Sequence, residues 1–130
     1  VCWRMKNIGY QIYVEPQSTI YHVGGGTLNK LSPRKTFLNF RNSLLMLLKN
    51  LPSNQLIPIL FMRLTLDGIA GIQFIFKGKF AHCFAILKAH FYFYHLINYT
   101  LKKRGTIQKE NYFHTKSIVF NYFVSKKQYF

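Results

Sequence analysis

Leu56–Phe76 is about as long as a bilayer-spanning helix, which needs ~20 apolar residues, and this run constrains the fold more than any other. The run is not clean. Arg63 and Asp67 lie near its centre, and Gly68 and Gly71 follow. A central Arg or Asp costs roughly 2.5–3.5 kcal/mol when a helix inserts across a bilayer. Their i,i+4 spacing lets the two pair along one helix face and lowers that cost. The expectation is a helix packed against protein or lying in a membrane interface, in preference to a full span.

The chain around it is strongly basic. Its 130 residues hold 18 Lys plus Arg against 3 acids, Glu15, Asp67 and Glu110, a formal net charge of +15. Such a charge repels itself in a compact state unless something anionic lies nearby. Nucleic acid, nucleotide or lipid diphosphates, and the acidic headgroups of a cytoplasmic leaflet all qualify. With 49% apolar and 18% aromatic residues, the chain is no basic disordered tail, and the balance moves towards a membrane surface. The basic residues are scattered over several helical segments and form no recognised nucleic-acid motif, so nucleic acid is not an expected partner. Cys2 and Cys83 make no CxxC, and no His or acid cluster has ligand spacing. Reduced cysteines in a cytosolic setting fit this pattern better than a disulfide framework or a zinc site.

Three regions follow along the chain. Residues 1–33 read as α/β material. Val1–Ile8 is expected to be a helix stopped by Gly9. Gln11–Val14 and Thr19–Val23 are rich in Ile, Tyr and Val and read as two short strands, with Pro16 in the turn between them. Gly24, Gly25 and Gly26 then force an irregular backbone. Residues 34–104 read as helical. Ser32 as cap and Pro33 at the first position open a helix that runs to about Leu51, where Pro52 breaks it. Leu56–Phe76 is the second helix and Phe80–Leu101 the third, with Gly105 beyond it as the stop. The aromatic centre Phe91–Tyr94 and the flanking Lys77, Lys79, Lys88, Lys102, Lys103 and Arg104 suit a membrane-interface helix. Core packing of a helical subdomain accounts for them equally well. Residues 105–130 read as a basic linker ending in a short helix over Ile118–Val124.

The string Val1-Cys2-Trp3-Arg4, then Gly9-Tyr10, then Tyr21-His22-Val23-Gly24-Gly25-Gly26-Thr27, resembles the end of the catalytic domain of bacterial family 2 glycosyltransferases of the rhamnosyltransferase-like branch. The resemblance continues through Pro33-Arg34-Lys35-Thr36, Phe40-Arg41-Asn42, Lys49-Asn50-Leu51-Pro52, Leu66-Asp67-Gly68, Lys88-Ala89-His90 and Lys116-Ser117-Ile118-Val119. It implies a C-terminal remnant of a GT-A, Rossmann-like domain followed by a mainly helical tail. It also implies an inverting enzyme that moves a sugar from a nucleotide diphosphate donor to a saccharide or lipid-linked acceptor. Such enzymes hold a divalent metal, Mg or Mn, on the donor diphosphate with a D-x-D motif and use a later carboxylate as base. The resemblance places both upstream of Val1, so these residues are expected to be inactive alone. The full enzyme is expected at the inner face of the cell membrane.

The resemblance also implies site residues. His22 falls near the metal and diphosphate, where a neutral imidazole ligates a metal or donates to phosphate. Gly24, Gly25 and Gly26 offer backbone N–H groups to a phosphate, with Arg34, Lys35 and Arg41 beside them. Trp3 falls below the acceptor and Arg4 beside an upstream acid, although plain core burial suits Trp3. A turn glycine run, a strand-end histidine and a solvated helix face explain the others as simply. His90 and His95 are five apart and share no helix face, so they and His82 do not read as metal ligands. A small basic protein acting alone on a membrane or a nucleic acid is the competing reading.

Overall fold

The structure, a computed structural model, describes residues 2–21, 32–106 and 126. Four helices make up its regular elements: α1 (Cys2–Asn7), α2 (Pro33–Asn50), α3 (Ser53–Phe76) and α4 (Phe80–Lys102). There is no strand among the described residues.

That overturns the α/β expectation. Residues 10–21 run as irregular chain, broken by a turn at Pro16 and Gln17. Glu15 holds the turn: its carbonyl accepts from Ser18 N at 3.2 Å and its carboxylate from Gln17 N at 3.0 Å. Tyr13 and Val14 are 82% and 86% exposed. β-Propensity expresses packing against a neighbouring strand, and an isolated two-stranded pair is marginal in water. Gln11–Val14 and Thr19–Tyr21 have the composition of strands, but no sheet for them to join exists among the described residues. The remainder of the second expected strand, the glycine run and the terminal helix over Ile118–Val124 lie outside the described residues.

The helical expectations fare differently, and local chemistry explains why. α1 stops at Gly9, whose φ of +100° permits a left-handed turn; Gly9 N donates to Lys6 O at 3.1 Å and Tyr10 N to Met5 O at 3.0 Å. Gly78, φ +68°, closes α3 by the same pair of bonds, to Ile75 O at 2.9 Å and from Lys79 N to Phe74 O at 2.8 Å. α2 begins at Pro33 as its sequence indicates, but the Ser32 side chain makes no capping bond. The Ser32 carbonyl alone accepts, from Lys35 N at 3.0 Å and Thr36 N at 3.3 Å. α4 ends at Lys102, ahead of Gly105, in a tightened turn where Arg104 N donates to Leu101 O at 3.0 Å.

α2, α3 and α4 form an up-down-up bundle. Thr36 meets His82 near one end and Arg104 meets Leu48 near the other, so α2 and α4 run parallel. α3 returns between their ends, touching α2 through Arg63 and Phe40 and α4 through Asp67 and His90. The core is small: Leu44, Leu48 and Phe93, with Leu45, Leu56, Leu60, Leu64 and Ile97 packed round them. α1 leans on the end of α2, where Asn7 Nδ2 donates to Asn50 O at 3.4 Å.

Candidate functional site

α3 is built the wrong way round for water. At 3.6 residues per turn its outward arc carries Ile57, Phe61, Met62, Leu66, Ile69, Ile72, Ile75 and Phe76, all exposed. The other exposed residues between Ile57 and Phe76 are Pro58, Thr65, Gly68 and Gln73, so this arc carries no charge. Thr65 bends its hydroxyl back to Phe61 O at 3.0 Å, which hides much of its polarity. The helix is long and apolar enough to cross a membrane, and little of it is buried.

Its only two charges face inward. Arg63 Nε lies 2.9 Å from Asp67 Oδ1, and His90 Nε2 on α4 lies 3.3 Å from Asp67 Oδ2. The Arg63 guanidinium also sits over the Phe40 ring, 5.4 Å from its centroid. Asp67 is 1% exposed. Burial raises its pKa above the usual value, while the Arg63 charge and the His90 hydrogen bond pull it part of the way back. Arg63 is its expected i,i+4 partner; His90 is not expected from the sequence, being 23 residues away on another helix. Close packing at Gly71, where an added Cβ would lie 3.9 Å from Cys83 Sγ, brings α3 and α4 near enough for this contact.

α4 continues the outward apolar character. Phe80, Phe84, Leu87 and Phe91 are exposed and fall on one face, and Lys88 stands beside them. His82 turns inward, stacked on Phe74 with ring centroids 5.0 Å apart and bonded to Thr36 Oγ1 at 2.8 Å. At the opposite end Arg104 clasps the α2–α3 turn. Its guanidinium donates to the Leu48 and Leu51 carbonyls and, at 3.4 Å, to Ser53 Oγ. Partial burial lowers the Arg104 pKa.

The site residues implied by resemblance are dispersed along α2. Trp3, half-buried, and exposed Arg4 line an open cleft of about 350 Å³ with Lys49, Asn50, Tyr99 and Lys103, at the C-terminal end of α2. Arg34 lines a second cleft at the N-terminal end, ~12–24 Å along the helix from the residues of the first. Arg41 is occupied locally: it lies over Phe37, 5.0 Å from the centroid, and bonds Asn42 Oδ1 at 2.9 Å. Lys35 is half-buried and about 100° round α2 from Arg34. His22, Gly24, Gly25 and Gly26 lie outside the described residues.

No group of three or more His, Cys, Asp or Glu side chains is assembled among the described residues. Asp67 is committed to Arg63 and His90, and Glu15 holds an exposed turn. Neither acid is placed to hold a divalent metal. No family model, curated protein or solved structure matches the chain.

Proposed function

We propose that this chain is the membrane-docking part of a family 2 glycosyltransferase. The enzyme moves a sugar from a nucleotide diphosphate donor to a saccharide or lipid-linked acceptor in cell-surface polysaccharide synthesis. The bundle rests on the anionic inner leaflet and supplies attachment, and residues beyond it supply the chemistry.

One observation carries the docking half. A chain of net charge +15 presents, along a 24-residue helix, an exposed arc without a single charge. In water such an arc is unfavourable by roughly 25 cal/mol for each Å² of apolar surface left wet. Against a bilayer the same area becomes the contact, and the surrounding Lys and Arg are drawn to acidic headgroups. A flat attachment fits better than a span. α3 holds Arg63 and Asp67 at mid-length, and α2 packs behind it with Arg41 and Lys49. The transferase half rests on the order of residue strings from Cys2-Trp3-Arg4 through Lys116-Ser117-Ile118-Val119.

Two measurements test the halves separately. The full chain is expected to float with vesicles that contain phosphatidylglycerol; recovery only in the soluble fraction refutes docking. Membranes from cells expressing the reading frame that carries this chain, given labelled nucleotide sugars, are expected to pass label into lipid-extractable product. Vesicle binding without transfer from any donor removes the transferase and leaves a membrane-bound protein of another kind.

A further inference from the structure

We infer that the open cleft between the start of α2 and the first half of α4 holds the phosphate of one anionic phospholipid. The inference rests on the docking proposed above and adds to it a specific headgroup site.

The cleft has a volume of about 480 Å³. Phe37, Ala81, Phe84 and Ala85 form apolar walls, and Arg34 and Lys88 bring the positive charge. Neither cation has an acid within ion-pair distance among the described residues. Lys88 Nζ is held 5.6 Å from the Phe37 ring centroid and 5.9 Å from that of Tyr92, contacts that position a cation without neutralising it. The start of α2 adds a smaller contribution: its first turn has no acid and no side-chain cap, although the Ser32 carbonyl already accepts from Lys35 N and Thr36 N and Pro33 has no N–H. Two cations and a helix start suit a monoanionic phosphodiester.

The walls favour a lipid over free phosphate. A free ion gains nothing from phenylalanine and alanine. Phe84, 69% exposed, belongs both to the cleft and to the outward row of Phe80, Leu87 and Phe91. A headgroup between Arg34 and Lys88 therefore has its glycerol and acyl chains beside that row. The basic turn residues Lys77 and Lys79 lie towards the same end of the bundle but outside the cleft, and they provide an internal comparison.

The experiment compares partition of the full chain into phosphatidylglycerol and phosphatidylcholine vesicles. Each cation near an acidic surface is worth about 1 kcal/mol, or roughly fivefold, so R34Q/K88Q and K77Q/K79Q both lower the preference through diffuse attraction alone. The site adds to this, and R34Q/K88Q is expected to lose at least about fivefold more than K77Q/K79Q. Ala81→Trp fills the cleft at constant charge and is expected to lower the preference several-fold with phosphatidylcholine binding unchanged. Equal losses in the two charge pairs, or a wild-type preference in Ala81→Trp at wild-type helicity, overturn the site and leave docking intact. Displacement by inorganic phosphate beyond that by chloride at equal ionic strength assigns the cleft to the free ion and overturns the lipid. A wild-type chain that binds neither vesicle overturns both proposals.

Discussion

Phe61→Ser separates a membrane-facing residue from a core residue by the sign of its effect. Phe61 is 73% exposed on the uncharged arc of α3. Full burial of a Phe side chain is worth about 1.5–3 kcal/mol, and about three quarters of that is unspent here, so lipid contact at this residue is worth ~1–2 kcal/mol. Phe61→Ser is expected to weaken vesicle partition by roughly 5- to 30-fold. Ser and Phe have similar helix propensity, so helicity stays the same, and the urea midpoint without lipid or detergent holds or rises. Leu44 is the contrast. It is 0% exposed between α2, α3 and α4, and Leu44→Ala is expected to cost about 2–5 kcal/mol of stability. Flotation and urea denaturation of both variants decide the matter. If Phe61→Ser floats like the wild type, or unfolds as Leu44→Ala does, the outward arc is not a lipid contact.

Arg104→Lys should lose about 1–3 kcal/mol, because an ammonium cannot reach the Leu48 and Leu51 carbonyls in the forked way a guanidinium does; an unchanged thermal midpoint argues that the clasp adds nothing. Asp67 should leave a mark on the pH dependence. Its folded pKa is raised above the ordinary 3.8, so its favourable contribution is complete below that value and is lost as pH rises through the raised one. Asp67→Asn removes this titration, and its urea midpoint should gain on that of the wild type as pH rises through the window; parallel profiles refute the assignment.

What was legible in the sequence was what is local. Ser32-Pro33, Pro52 and Gly9 mark helix starts and stops within a turn of themselves, and helices form near those places. The same holds for Arg63 and Asp67, whose spacing fixes their pairing before any tertiary contact exists. The uncharged arc is the other side of the same spacing: two charges on one face leave the opposite face without any. Strands are not local. Gln11–Val14 has the right residues, but a strand exists only through its neighbour. His90 and Arg104 show the same limit on the helical side. Their partners lie 23 and up to 56 residues away, and periodicity along one helix says nothing about which face of another it meets.

The parallel course of α2 and α4 has a mechanical side. Two parallel helices need a connector that travels back the length of the bundle, and α3 is that connector. It is tethered at both ends by short links, Leu51-Pro52 before it and Lys77-Gly78-Lys79 after it. A helix held this way has little freedom to swing out into a bilayer as a free anchor does, and the Asp67–His90 contact and the close packing at Gly71 hold it against rotation about its own long axis as well. The docking proposed for α3 would therefore carry force along the membrane through both turns into α2 and α4 together.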